Sequence, residues 1–330
     1  MARSAIVRSI GVGLPERRVS NDDLGKTLDT SDEWIRSHTG IGWRHIAADG
    51  QATSDLCVLA ARDALARAGL QPADVDLIVV ATITGDYIGC PSTACVVQDK
   101  LGMPGVPAFD LLAACSGFIY GLAAVKGMIL QGMVRRALVI GGEVLSRIVD
   151  WKDRNTCVLF GDGAGAAVVE GSDEEGTGIL DCYLGADGSG HEAIIVRNGG
   201  TAHTYLNGMS HRKPPIIEMA GKRVYAFASR TLPDVARKVL AAAGVTLDQV
   251  AWIVPHQANE RIIQAAASQM GVPVSRFYMN LEQRANTSAA SIPLALADLE
   301  RSGGLKRGDL VLCIGFGGGL TYGGALLRWW

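Results

Sequence analysis

The sequence predicts an α/β protein built from two copies of one unit. Three observations carry that prediction: an internal repeat, buried strands that end in glycine, and glycines dispersed among apolar segments. Placing Gly244 on Gly69, an offset of 175 residues, aligns 236–254 with 61–79 and gives 9 identities in 19 positions. Ala61, Arg62, Leu65, Ala66, Ala68, Gly69, Val75, Ile78 and Val79 all recur. Both copies read as helix, glycine cap, short loop and buried strand. A repeat with so long a period is a duplicated α/β unit and not a solenoid of short repeats. The polar, glycine-rich run 170–178 is the connector. It divides the chain into an N-terminal half, 1–172, and a C-terminal half, 173–330, that together form one compact unit.

The elements follow from local pattern. Residues 5–12 alternate as a strand, and Ser20-Asn21-Asp22-Asp23 caps a short helix. Thr30 with Glu33 forms a second capping signal. Residues 53–69 are a helix closed by Gly69, 76–81 a buried strand, 91–101 a helix, and 106–112 a buried strand. A tight turn then delivers Cys115 to the first turn of a buried helix, Phe118 to Leu130. Ala137–Gly142, Thr156–Phe160 and Ala164–Val169 read as strands, 150–155 as a charged loop, and 198–215 as an irregular surface excursion. The second half repeats the order and ends with the strand Cys313-Ile314-Gly315, which matches Val139-Ile140-Gly141-Gly142.

Composition excludes several classes. A chain of 330 residues can bury a large core. A net charge of −2 gives no overall footprint for nucleic acid or an anionic membrane. The opening Met-Ala-Arg-Ser has no apolar signal core, and no uncharged run reaches transmembrane length. Seven cysteines without a close CxxC pair indicate neither a disulfide framework nor a zinc ribbon. A reducing cytoplasm is the expected location.

The chemistry centres on Phe109-Asp110-Leu111-Leu112-Ala113-Ala114-Cys115-Ser116-Gly117-Phe118. A free cysteine is most often a small buried hydrophobe. At a helix N-terminus, however, the dipole and unpaired N–H groups favour a thiolate and can hold an oxyanion. A reactive cysteine needs a partner base. The repeat supplies one, because His256 follows the strand Trp252-Ile253-Val254, at the strand end where α/β proteins place reacting groups. The counterpart of the Cys115 turn is Asn286-Thr287-Ser288-Ala289-Ala290, and if the halves pack about a pseudo-twofold axis the two turns face each other. Gly315-Phe316-Gly317-Gly318-Gly319 is a tight turn able to present N–H groups to a thioester oxygen. Gly161-Asp162-Gly163-Ala164-Gly165-Ala166 satisfies a loose dinucleotide pattern, but a strand follows where a helix is required, so nucleotide binding there is rejected. Trp34 and Arg154 lie in polar loops and suit stacking on a base.

On these motifs, with Thr30-Ser31-Asp32-Glu33-Trp34-Ile35, Thr39-Gly40-Ile41 and Pro255-His256-Gln257-Ala258-Asn259, the whole chain resembles the β-ketoacyl-acyl-carrier-protein synthase III family. These are the initiating condensing enzymes of type II fatty acid synthesis, within the thiolase-like superfamily. The resemblance implies a five-layer αβαβα fold and a homodimer. It implies that Cys115 takes an acyl group from acyl-CoA, with the N–H groups of Cys115 and Gly318 as oxyanion hole. His256 and Asn286 would then stabilise the carbanion formed when malonyl-acyl-carrier protein loses carbon dioxide, with Phe316 supporting that loss. Thr30, Trp34, Arg154, Gly221 and Asn259 match positions along the CoA and pantetheine path, and Gln257 and Arg261 match positions facing the carrier protein. Cys90 stands where some members place a phenylalanine at the floor of the acyl pocket, so starters longer than acetyl are expected. Acyl-CoA is a substrate, and no cofactor or metal is expected. The family often has arginines where this chain has His38 and Gly42, with Trp43 beside Arg44. That departure keeps open a relative serving secondary metabolism, with another starter or malonyl-CoA. A thioester hydrolase is the rival from another class, although hydrolysis needs no carbanion stabiliser such as Asn286.

Overall fold

The computed structural model describes residues 2–203 and 214–330. The strands of the first sheet are β1 (Ser4–Gly13), β2 (Leu77–Ala81), β3 (Ala108–Leu111), β4 (Arg136–Glu143) and β5 (Gly163–Ser172). Their spatial order is β1-β5-β4-β2-β3. The second sheet contains β6 (Gly178–Ala186), β7 (Val250–Pro255), β8 (Leu310–Gly317) and β9 (Thr321–Arg328), in the order β7-β8-β9-β6. The two orders are the same topology. In each sheet the parallel pair (β2 with β4, β7 with β8) continues through two antiparallel strands.

Side-chain alternation makes five layers. Leu77 and Val79 of β2 and Val139 of β4 face one core, while Ile78, Val80 and Ile140 face another. The middle core also holds Phe118, Ile119 and Leu122 of α4 (Gly117–Leu130), Ile292, Leu296 and Leu299 of α7 (Ser291–Arg301), and Val311 and Cys313 of β8. Two apolar helices are therefore sandwiched between the sheets. Outside the first sheet lie α2 (Thr53–Ala68) and α3 (Thr93–Lys100). Outside the second lie α5 (Gly221–Ala243) and α6 (Glu260–Met270). This is the αβαβα architecture.

Local signals mostly hold. Ser20 caps 21–25 through a capping box, and Gly69 and Gly244 close α2 and α5 in the left-handed conformation. The helix carrying Trp34, α1 (Asp32–Thr39), is capped by Ser31 and not by Thr30, because the Ser31 hydroxyl accepts from Trp34 N at 3.1 Å. Residues 156–160 form successive turns, with only a bridge from Phe160 to Asn286. The strand β3 is not buried: it is an edge, with Phe109 38 % exposed and Leu112, just past its end, 80 % exposed. Its counterpart in the second half shrinks to a bridge between Phe277 and Ile253. Most of the excursion at 198–215 lies outside the described residues. Among the described residues, no helix is long and apolar enough to cross a membrane.

Candidate active site

A cavity of about 540 Å³ opens between the halves. Cys115, His256, Asn286, Phe316 and Gly318 all line it, together with Trp34, Gly221, Asn259 and Arg261. Cys115 sits in the 3-10 turn Ala114–Ser116, which runs directly into α4. Gly317, at the end of β8, must be glycine: a Cβ there would stand 2.6 Å from Cys115 N. That close approach brings the 315–319 turn against the cysteine backbone.

His256 follows the last residue of β7, and its N–H donates to Ile314 O at 2.8 Å. Its Nδ1 pairs with the Ser291 hydroxyl at 2.7 Å, which leaves Nε2 for the cavity. The Phe316 ring packs edge-on, with centroids 5.4 Å apart. Burial pulls the His256 pKa down to about 3, so the imidazole is neutral at physiological pH. Asn286 is held by its backbone, which donates to Leu159 O at 2.9 Å and accepts from Gly161 N at 3.0 Å. Its Oδ1 accepts from Ser288 N at 2.8 Å. The Asn286 Nδ2 group is thus the free end. The Ser291 oxygen already accepts from Gln257 N at 3.4 Å, so its O–H is placed to donate to Nδ1. Each of these two side chains then has its far atom engaged and a donor left over, which suits an oxygen acquiring negative charge.

The thiol behaves differently from the helix-dipole expectation. Burial pushes the Cys115 pKa up to about 12, against a favourable contact from the Ser288 hydroxyl. Desolvation is the largest influence on the thiol and favours its protonated form.

At the cavity mouth, Trp34 stacks on His38 with centroids 4.4 Å apart, and the Arg154 guanidinium lies 5.1 Å from the Trp34 ring centre. Arg154 also donates to Asp29 O at 2.6 Å. A base between Trp34 and Arg154 needs about 7 Å, twice a carbon contact distance, so the slot is closed in this state. Gly221 begins α5, and Asn259 caps α6 while its Nδ2 donates to His38 O at 3.0 Å. Arg261 is exposed and donates to Ser37 O through Nε and Nη2.

Three calls change. Gln257 is fully buried, bonded to Pro255 O, Tyr278 O and Asn280 N, and so cannot face a carrier protein. Thr30 is not in the cavity wall; its hydroxyl is buried without a partner. Cys90 is exposed in the 84–92 loop and does not line the cavity of its own chain. The Gly42 departure also has a physical reading, because a Cβ there would strike the guanidinium of Arg36, which pairs with Asp32 and Glu282. The loose dinucleotide segment is occupied structurally: the Asp162 carboxylate accepts from Ala47 N and from Ser146 N and Oγ. Ser291, Ser288 and Glu143 were not singled out from sequence. The repeat was the usable signal for Ser291, since α7 begins there as α4 begins at Gly117.

The comparisons decide the family. The model described as 3-oxoacyl-[acyl-carrier-protein] synthase III matches residues 109–188, and that for the C-terminal part matches 240–329. Proteins named beta-ketoacyl-[acyl-carrier-protein] synthase III are similar over the full length. The one from Rhodobacter capsulatus is 49 % identical over 333 residues (100 % of each chain), and that from Neisseria gonorrhoeae is 49 % identical over 326 (98 % and 99 %). The chain belongs to the β-ketoacyl-acyl-carrier-protein synthase III family. The crystal structure of the Aquifex aeolicus synthase III aligns at a TM-score of 0.90, with 44 % identity and coverage of 98 % and 100 %. The priming β-ketosynthase of the R1128 polyketide pathway aligns at 0.91 with 36 % identity, covering 99 % and 97 %. The synthase III relatives named here, at 44 % to 49 % identity, are nearer in sequence than the priming ketosynthase at 36 %, which favours fatty acid initiation over secondary metabolism. The protein is a condensing acyltransferase that initiates fatty acid synthesis.

Proposed function

We propose that Cys115 is the acyl acceptor and that His256 and Asn286 serve the second, carbon–carbon bond-forming stage. The starter acyl-CoA enters past Trp34 and Arg154, with Arg154 swinging off the tryptophan to admit the adenine. Cys115 Sγ attacks the thioester carbonyl, and the N–H groups of Cys115 and Gly318 hold the oxyanion. CoA leaves. Malonyl-acyl-carrier protein then docks near Arg261, and its thioester oxygen receives His256 Nε2–H and Asn286 Nδ2–H. Phe316 keeps water from the carboxylate, which leaves as carbon dioxide. The resulting enolate attacks the acyl-cysteine and frees Cys115. The scheme uses no metal or cofactor. We place the protein in the cytoplasm, where its seven cysteines stay free.

The observation that supports this reading is the orientation of His256 and Asn286. Ser291 and the Ser288 N–H occupy their inner atoms, so their remaining donors aim at one cavity shared with Cys115. A hydrolase has no use for that pair. The test is intact-protein mass spectrometry after incubation with acetyl- to octanoyl-CoA, then addition of malonyl-acyl-carrier protein or malonyl-CoA. An acyl adduct lost in Cys115→Ala and converted to a β-ketoacyl product on malonyl-carrier protein is expected. Free acid without condensation would establish a hydrolase, and preference for malonyl-CoA would establish the secondary-metabolism reading.

The working unit is a homodimer formed through the β3 edge. Leu112 and Phe109 are exposed there, beside Tyr87 at 57 % and Ile88 at 84 %. An uncovered apolar edge strand is a pairing surface. This arrangement lets the Cys90 loop reach the partner's cavity, where a small side chain leaves room for longer starters. A monomer by sedimentation at micromolar concentration overturns the dimer, and acetyl-CoA turned over as well as butyryl- to octanoyl-CoA overturns the starter preference.

A further inference from the structure

The acylation stage leaves a proton unaccounted for. The Cys115 thiol is protonated at rest, and the neutral His256 has its Nδ1 committed to Ser291. Behind the cysteine, at the end of β4, is a carboxyl group with no assigned role. Glu143 is fully buried. Its carboxylate accepts from Thr82 Oγ1 at 3.0 Å, Ile83 N at 3.1 Å and Thr84 N at 3.1 Å, and from the Thr84 hydroxyl. Among the described residues it pairs with no Lys, Arg or His.

Between the two stands Ser288. It is 1 % exposed, lines the cavity, and is fixed with φ +49° by the turn that follows Asn286. Ser288 shares the cavity wall with Cys115, and its turn packs on β4 close to Glu143, since a Cβ on Gly141 would strike Ala289 O. Its hydroxyl favours the ionised form of both the thiol and the carboxylate. Neither contact has the geometry of a full hydrogen bond in this state, and the buried hydroxyl is otherwise without a partner. A buried, uncommitted hydroxyl between a thiol and a carboxylate is costly unless it is used.

We propose that Ser288 and Glu143 form a proton relay for Cys115 in the acylation half-reaction. The Cys115 S–H proton passes to Ser288 Oγ as the Ser288 O–H proton passes to Glu143. The freed sulfur electron pair forms the bond to the thioester carbonyl carbon. When the tetrahedral intermediate collapses, the carbon–sulfur bond to CoA breaks, and the CoA thiolate takes the proton back from Glu143 through Ser288. One thiol enters and one thiol leaves, so no co-reactant is needed. Ser288 touches the reacting sulfur, while Glu143 acts only through it. Burial raises the Glu143 pKa to about 7, against its hydrogen bonds, which suits a base working at neutral pH. Among the described residues, the Glu143 charge acts on Cys115 and, from α2, on Cys57, whose own thiol burial pushes far up.

The relay rests on Cys115 as acyl acceptor, and a wild-type acyl adduct settles that point first. The test is then the single-turnover rate of acylation by acetyl-CoA from pH 5.5 to 9, with decarboxylation of a malonyl thioester measured in parallel. Wild-type acylation should rise with pH and level near pH 7 as Glu143 ionises. Ser288→Ala is a sound variant, because Ala114 already holds φ +46° at the matching place in the first half. It also keeps the backbone N–H that holds Asn286. Ser288→Ala and Glu143→Gln should each acylate about 100-fold more slowly at pH 7. Both should lose the plateau, climbing through pH 9 with the thiol's own ionisation. The loss of acylation should exceed any loss of decarboxylation by about tenfold or more. Acylation within about threefold of wild type with the plateau kept, or an equal loss of both half-reactions, overturns the relay. If Glu143→Gln does not fold, Ser288→Ala decides alone.

Discussion

In the N-terminal half, the turn Ala114–Ser116 leads into α4; in the C-terminal half, Ser288–Ala290 leads into α7. Ala114 and Ser288 both carry positive φ, 46° and 49°. With the turns so matched, Cys115 corresponds to Ala289 and Gly117 to Ser291. Strand register adds two more pairs. Ala81 opposes Gly141 as His256 opposes Gly315, and Glu143 ends β4 where Gly317 ends β8. One scaffold therefore holds different chemistry in its two copies. The second copy carries the bonded pair His256–Ser291. The first has Ala81 and Gly117 there, so close that a Cβ on Gly117 would stand 2.8 Å from that of Ala81. Where the first copy has a nucleophile, the second has a methyl group. Packing explains the asymmetry: the two turns share one small space, and every polar group placed there must find a partner or an empty cavity.

The sharpest way to break this division is at its nucleophile. Cys115→Ala gives the first turn the methyl group that Ala289 has in the second, and acylation should vanish, seen as complete loss of the mass adduct. Malonyl decarboxylation should persist, because its donors come from the other copy. His256→Ala and Asn286→Ala should do the reverse. Condensation should fall by about 10²–10³-fold for each, the usual cost of removing one oxyanion donor, while acyl-Cys115 still forms. Should His256→Ala also stop acylation in single-turnover mass spectrometry, the stages are not divided between the halves.

Ser291→Ala probes the pair that Ala81 and Gly117 lack. It leaves His256 Nδ1 buried and unpaired and frees the ring to take the wrong tautomer. Condensation should fall about tenfold, near 1.4 kcal/mol, the scale of one buried hydrogen bond. The rate of acyl-cysteine formation should not follow, and steady-state kinetics against single-turnover acylation separates the two.

Most of this comparison was legible in the sequence, and the reasons are particular. The repeat at 61–79 and 236–254 survives because a helix cap, a short loop and a buried strand tolerate few substitutions. Cys115, His256 and Asn286 stood out as reactive side chains next to apolar strands or glycine turns. Ser291 and Ser288 did not, since a serine entering a helix is ordinary and their partners lie far along the chain. Glu143 is hidden for a related reason: its donors at Thr82, Ile83 and Thr84 come from a neighbouring strand end. Residues 156–160 read as a strand because they are apolar, yet they are buried turns packed beside the Asn286 segment. The exposed β3 edge misled in the opposite direction, because an exposed apolar run has the same pattern as one for a core.

The last effect concerns stability and not rate, and sets the buried acid of one half against the buried base of the other. His256 has a folded pKa of about 3, below its ordinary 6.5. Between those values the unfolded chain binds a proton that the native state does not, so its contribution to stability rises with pH. Glu143 has a folded pKa of about 7, above its ordinary 4.5. There the native state holds the extra proton, so its contribution falls as pH rises. From pH 4.5 to 6.5 the two slopes oppose each other, each at most roughly 1.4 kcal/mol per pH unit. His256→Asn removes only the rising one. Urea denaturation at pH 4.5, 5.5 and 6.5 should show the wild type gaining stability over the variant at each step. A constant gap between the two would mean that His256 is not held neutral by burial, and that the second half does not store its base in the form the condensation stage requires.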